Sequence, residues 1–190
     1  MKKITLIAAA FLMSVSAFAQ TKWTVDPMHS SVNFEVKHLG ISLVDGHFDK
    51  YNGTVSASKA DLTDAKINFT VNTESVNTKV EARDKHLKTD DFFNAAQYPE
   101  MKFSSTSFKK EKGNNYSLAG NLTIRDVTKP VVFKVVYGGT AKDNFGNTKA
   151  GFHATTTINR LDYNIKFDPT GAGVAREVTI ELNLEFAQDK

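Results

Sequence analysis

The sequence predicts an all-β domain of about eight antiparallel strands, arranged either as a sandwich or as a barrel with an apolar inside. Three observations lead there. Segment after segment alternates apolar and polar residues with period two, the mark of a half-buried strand. Short turns join most of these segments, and no β-α-β rhythm of a parallel sheet appears. One stretch alone, Asn77 to Ser105, drops the alternation and carries helix signals, which places a short helical insertion between the third and fourth strands.

Trp23 to Pro27 leads in, with Asp26-Pro27 reading as a turn. Ser31 to His38 then sets Val32, Phe34 and Val36 on one face and Asn33, Glu35 and Lys37 on the other. Gly40 breaks this run, and Val44, Gly46 and Phe48 resume it. Asn52-Gly53 signals a turn or a bulge, and Val55 and Ala57 carry the strand on. Ala65, Ile67, Phe69 and Val71 form the third segment. In the insertion, Asn77 or Thr78 is the expected helix N-cap. Val80, Arg83, Asp84 and Leu87 share one helical face by three-and-four spacing.

Met101 and Phe103 take up the strand pattern again, and Gly113-Asn114-Asn115 marks a hairpin. Tyr116, Leu118, Gly120, Leu122 and Ile124 alternate next. Lys129-Pro130 separates them from Val131, Phe133, Val135 and Tyr137. Gly138-Gly139 is read as opening a polar loop that runs to about Thr148. Ala150, Phe152, Ala154, Thr156 and Ile158 follow. A second irregular loop covers Asn164 to Gly173, and Val178 to Phe186 form the last strand. Inward positions mix large with small residues, which suits a tapering core and a cavity equally well. An eight-stranded barrel is about the size at which the interior just fills or holds one small ligand.

The first residues speak to compartment. Lys2 and Lys3 precede an apolar run from Ile4 to Val15, and Ala17-Phe18-Ala19 is a small-residue cleavage site. Residues 1–19 are therefore read as a signal peptide and residues 20–190 as one domain, expected in the periplasm. The apolar run is shorter than the ~20 residues a spanning helix needs. The chain has no cysteine, so no disulfide framework supports it. Its net charge is +3, falling to near +1 without Lys2 and Lys3, and no concentrated basic face argues for nucleic acid. Fourteen phenylalanines against one tryptophan suit a greasy interior.

A set of motifs spread over the chain carries a more specific signal. These are Trp23-x-x-Asp26-x-x-His29-Ser30, Phe34-x-Val36-x-His38 and Gly46-x-Phe48. Further on come Arg83-Asp84-x-His86-Leu87-x-x-x-Asp91-Phe92-Phe93, Tyr98-Pro99, Leu122-Thr123-Ile124-x-x-Val127-Thr128-Lys129-Pro130 and a late Arg160. In this order they resemble the YceI-like family, the lipocalin-like polyisoprenoid-binding proteins of bacteria. The resemblance spans residues 20–190. It implies an antiparallel eight-stranded lipocalin-like barrel that holds an isoprenoid or other long-chain lipid in its lumen. It favours barrel over sandwich and cavity over filled core. Asp126 and Asn164 depart from it, since both stand where the family usually has glycine. They put local loop shape in question.

The candidate ligand-binding residues are Phe34, Val36, Phe48, Phe69, Phe103, Leu122, Ile124, Phe133, Phe152, Ile158, Leu182 and Leu184 along the strands. Arg83, His86, Phe92 and Phe93 join them from the insertion. Arg83 and His86 are read either as meeting a polar head group or as structural, and Asp84 as a lock holding the helix to the barrel. No cofactor is expected beyond a bound isoprenoid lipid such as a quinone or polyprenyl phosphate. The near-neutral charge and open strand ends permit a homodimer and transient contact with a membrane surface. No metal is expected: His29, His38 and His47 lack ligand spacing, and His38 reads as a buried, hydrogen-bonded side chain. No catalytic residue is assigned, because no nucleophile-elbow motif or recognisable triad occurs. The alternatives are a periplasmic stress-related structural protein with a filled core, and a hydrolase using Ser30 and His29.

Overall fold

The computed structural model describes residues 20–59 and 61–190. The expected signal peptide, residues 1–19, lies outside them. Eleven strand segments form one sheet: β1 (Thr21–Val25), β2 (Ser31–His38), β3 (Ser42–Phe48), β4 (Tyr51–Ala57), β5 (Lys66–Asn72), β6 (Val76–Asn77), β7 (Glu100–Lys110), β8 (Asn115–Ile124), β9 (Val127–Lys142), β10 (Thr148–Asn159) and β11 (Val174–Gln188). The helix α1 (Glu81–Leu87) sits between β6 and β7. Pairing is antiparallel throughout.

The eleven segments make eight barrel staves, because the first three staves are each interrupted. β1 and β2 lie end to end along β11, which pairs Val25 with Phe186 and Ser31 with Asn183. β3 and β4 continue the next stave, and β5 and β6 the third. The pairing of β1 and β2 with β11 closes an eight-stranded antiparallel barrel. Sandwich is thereby excluded, as the family resemblance implies.

Interruptions are stitched by side chains. Between β1 and β2 a short 3-10 turn, Pro27–His29, lifts away from β11. Asp26 accepts from the Met28 amide, and Ser30 Oγ both accepts from the Glu185 amide (2.9 Å) and donates to the Glu185 carbonyl. The Tyr51 hydroxyl donates to the Ser30 carbonyl at 2.6 Å. The Trp23-to-Ser30 motif is thus a splice that replaces missing ladder bonds.

Four local readings need correction. Asn52-Gly53 is not a turn; Gly53 lies inside β4 opposite Phe69, where the turn residues proper are Asp49 and Lys50. A Cβ on Gly53 would sit 2.3 Å from the Phe69 ring, so the glycine is there to let the ring lie over the backbone. Lys129-Pro130 does not separate strands; the turn is Arg125-Asp126, with Arg125 left-handed (φ 54°). Pro130 is tolerated inside β9 because the ladder to β10 begins only at Lys134, so its missing N–H costs no ladder bond. Gly138 to Lys142 is strand rather than loop, with Gly139 to Lys142 paired to β10 and Gly138 in a bulge. Finally, α1 is capped by neither Asn77 nor Thr78. Its N-cap is Val80, without a side-chain bond, and Thr78 donates instead to Asp84 through its amide (2.8 Å) and hydroxyl.

The β2–β3 hairpin closes through Leu39-Gly40, both left-handed (φ 51° and 72°). Such turns ordinarily take Asn, Asp or Gly. A leucine there costs about 1 kcal/mol of backbone strain. His38, expected buried, is instead exposed beside this turn, on the last rung that β2 shares with β3 and β11.

Candidate ligand-binding lumen

The inward faces of the staves enclose a cavity of about 190 Å³. A single water needs roughly 10–15 Å³ of such space, so the lumen is neither filled nor wide. It is elongated: Leu118, Leu122 and Ile124, spread over about 20 Å of the tilted strand β8 at about 3.3 Å per residue, all line it. Its lining is almost wholly apolar, and a water inside would find few hydrogen-bond partners. A slender hydrocarbon chain fits that description better than a ring system or a polar solute.

All the strand positions expected to face a ligand do line this cavity, from Phe34 and Val36 on β2 to Leu182 and Leu184 on β11. Phe92 and Phe93 from the insertion line it too. Aromatic rings meet edge-on or tilted around the wall: Phe34 with Phe48 at 5.7 Å, Phe48 with Phe93 at 5.5 Å, Phe103 with Phe133 at 5.5 Å. Gly46 and Gly120 make space for Phe34 and Phe103 respectively, whose rings would lie within 2.4 Å of an added Cβ.

Arg83 and His86 do not line the lumen. Arg83 donates through Nε to Thr78 Oγ1 at 2.7 Å and through a guanidinium nitrogen to the Thr78 carbonyl at 2.9 Å. Thr78 is also the group that Asp84 accepts from, so Arg83, Thr78 and Asp84 form one knot that fastens α1 to the chain after β6. The structural reading fits Arg83 as well as Asp84, because α1 has no side-chain cap and this knot supplies the missing anchorage. His86 lies on the outer edge of the plug. Its Nε2 is 2.8 Å from the Asp91 carboxylate, and its ring meets Phe92 at 5.0 Å and Phe167 at 5.1 Å.

The plug itself fills a split in the wall. β5 pairs with β7 only as far as Asn72–Glu100, and β6 has no strand on its far side among the described residues. Leu87, Phe93 and Met101 close that gap with side chains. Above them Phe92, Leu122, Ile124, Tyr163 and Ile165 form a satellite core. Arg125 clasps the two loops that meet there. It donates to the carbonyls of Asp90, Phe92 and Asn164, and to the Asp90 carboxylate. Asp126 and Asn164, the two departures from the family pattern, bond to each other at 3.0 Å. Asn164 takes the left-handed conformation (φ 60°) that glycine would supply. One departure therefore answers the other, and the loop keeps its shape.

Arg160 is the residue whose role sequence reasoning missed. It is 3% exposed. All five guanidinium N–H groups go to backbone carbonyls: Ala175, Ile165, Phe167, Asp168 and Val174. It pins the loop between β10 and β11 over the lumen's end and has no donor left for a head group. Asp168 completes that loop. The Thr170 hydroxyl and the amides of Val174 and Gly173 hold its carboxyl well below the usual carboxylate range.

Two other lining residues escape sequence reading for opposite reasons. Phe108 falls on the wrong phase after Met101 and Phe103, and a bulge at Ser105–Ser107 brings it inward. Leu62 sits in a polar loop with no periodicity, in a left-handed conformation (φ 59°), and closes the far end of the tunnel.

One group of metal-ligand type occurs among the described residues, Asp26, His29 and Glu185. Its centre already holds a cation: Lys149 Nζ lies 2.6 Å from Asp26 and 3.3 Å from Glu185. Lys149 first, and His29 second, lower the Asp26 pKa from 3.8 to about 2. The depressed carboxylate stabilises the fold above about pH 4, and that contribution is lost as the pH falls towards 2. Asp26→Asn is expected to cost about 2 kcal/mol at neutral pH and to flatten acid unfolding in this window. Urea titrations at pH 7 and pH 2 would show the gap between parent and variant closing at the lower pH.

Fold and lumen together define a closed antiparallel β-barrel with an apolar tunnel. The chain belongs to the YceI-like family, whose YceI-like domain model matches residues 23–186. It is 37% identical over 186 residues to Protein YceI of Salmonella arizonae, covering 98% of this chain and 96% of that protein. The same figures hold for Protein YceI of Salmonella heidelberg. Among solved structures, a Campylobacter jejuni YCEI protein superposes with a TM-score of 0.71 at 30% identity, covering 81% of this chain and 90% of the other. Burkholderia cenocepacia BcnA shares the fold at 23% identity, with a TM-score of 0.77 over 85% of this chain and 98% of its own. So does a polyisoprenoid-binding domain from Saccharophagus degradans, at 14% identity and a TM-score of 0.68, over 88% of this chain and 98% of its own.

Proposed function

We propose that this chain binds the tail of an isoprenoid or other long-chain lipid in its lumen and holds or carries it in the periplasm, after loss of residues 1–19. The observation that carries this reading is the lumen's polarity. The tunnel presents no free charge: its buried guanidinium, Arg160, is fully taken up by backbone carbonyls, and Lys102 pairs with Glu100. A fold-mate from Saccharophagus degradans is a polyisoprenoid-binding domain, which supports the same class of ligand here.

The energetics suit exchange rather than trapping. Burying a chain yields ~0.8 kcal/mol per methylene, but a lipid leaving a bilayer gives up a similar amount. Net affinity is then set by the fit of the walls. Quinone, polyprenyl phosphate and fatty tails all present the same hydrocarbon to this tunnel, and their head groups stay outside it.

Binding rather than catalysis is the consistent role. Ser30 Oγ is engaged with the Glu185 backbone, and His29 Nδ1 faces Asp26. The test is direct: purify the protein without detergent, extract it with organic solvent, and analyse the extract by mass spectrometry. Co-purified prenyl or acyl lipid is expected. No lipid in the extract, together with no binding of an added isoprenoid quinone, would sink the reading.

A further inference from the structure

We propose that the tip of the β2–β3 hairpin is a membrane-docking element that seats the barrel on an anionic lipid bilayer. Leu39, Ile41 and Leu43 crowd this tip and are 58%, 86% and 56% exposed. Among the described residues, their side chains belong to neither hydrophobic core. The turn even keeps a leucine at a strained left-handed position where Asn or Gly would be free of strain. An exposed aliphatic retained at such a position points to a surface that takes it up.

Charge along the hairpin matches a bilayer and sets a depth. Lys37 stands directly across from Leu43, and His38 across from Ser42. Lys79, which is exposed, precedes the exposed Val80 on the neighbouring stretch before α1. One pleat further back the sign reverses, with Glu35 directly across from Asp45. From the tip, Leu39 and Ile41 come first, Lys37 and Leu43 share the next outward rung, and the acidic pair follows. Apolar side chains enter the acyl boundary, lysines meet lipid phosphates, and the acidic pair stops insertion at roughly 5–10 Å.

Position matters as much as chemistry. Val36, Val174 and Val178 line the lumen, and they pair at the base of this tip: Val36 with Val178, His38 with Val174. Leu39 is tied to the same place by its amide, which donates to the Gly173 carbonyl at 2.8 Å. A docked tip brings that end of the tunnel, with the β10–β11 loop that covers it, to the bilayer, where a tail that passes the loop crosses little water.

Docking goes beyond lipid carriage and is measured without cargo, so either can fail alone. The experiment uses residues 20–190, which contain the whole barrel, and removes the apolar leader as a source of binding. Vesicles of phosphatidylethanolamine with phosphatidylglycerol are floated with the protein. The parent is expected to float with them. The triple variant Leu39→Ser/Ile41→Ser/Leu43→Ser should bind at least tenfold more weakly with an unchanged circular dichroism spectrum. Val132→Ser/Val136→Ser, which removes exposed apolar residues elsewhere on the barrel, should bind like the parent. Lys37→Glu should weaken binding to these vesicles and leave binding to neutral phosphatidylcholine vesicles unchanged. A parent that stays with the buffer, or a triple variant that floats equally well, overturns the proposal. So does a triple variant whose only change is conversion of a dimer to a monomer in sedimentation, which would make the tip a contact between two copies.

Discussion

Arg160→Met is expected to lower stability by about 3–5 kcal/mol, the cost of leaving buried groups without their charged partner. A domain of this size has only about 5–15 kcal/mol in hand. The loss is large because one side chain serves five carbonyls, three in the loop after β10 and two at the start of β11. Those carbonyls converge on the guanidinium, and without it they lose their common donor. Arg160→Lys should recover little, since an ammonium has three donors and no fork to match five fixed acceptors. Equilibrium urea unfolding gives the answer. A methionine variant within about 1 kcal/mol of the parent would mean that the carbonyls find water or one another, and that the guanidinium is dispensable.

The second large effect concerns the plug. Replacing Phe92 and Phe93 together by alanine is expected to cut retained lipid at least tenfold per folded molecule. Phe93 lines the tunnel against Phe48, and Phe92 sits between the tunnel and the His86–Phe167 edge. Each ring removed costs up to about 3–5 kcal/mol of packing, so lipid content must be normalised to folded protein. Arg83→Ala is the contrast. It breaks the knot with Thr78 and should lower the melting temperature while leaving lipid per folded molecule near the parent value. The reverse outcome, lipid lost with Arg83 and kept without the rings, would move head-group recognition to α1.

Period two was a dependable guide wherever one face met the lumen and the other met water. Ser31–His38 is a strand with the bounds its alternation implies. The alternation fails where geometry is set by contacts across strands. Phe108 is a case, since a bulge shifts its phase and a bulge leaves no mark in a run of serines and threonines. Gly53 and Pro130 are others. Their residue types signal turns, but a cross-strand ring and a missing neighbour ladder make each acceptable inside a strand. The lumen's walls were legible residue by residue for the same reason the strands were. Arg83 and His86 were not separable from head-group ligands by sequence, because a charge near an aromatic pair looks the same whether it faces a ligand or a threonine. Arg160 was visible only as a motif letter. The five carbonyls that give it meaning are backbone atoms, and no sequence shows where those point.

β11 pairs along one edge with β10 and along the other with both β1 and β2. Every other stave pairs with a neighbour in sequence, so this one seam joins the first and the last of the described staves. Closure must wait until residues 174–188 exist, and until then β1 has only β4 and β2 only β3 beside it. Folding to completion is therefore timed by β11, the last of the described strands to be synthesised. A nascent chain with this wiring keeps the barrel open until β11 has been made.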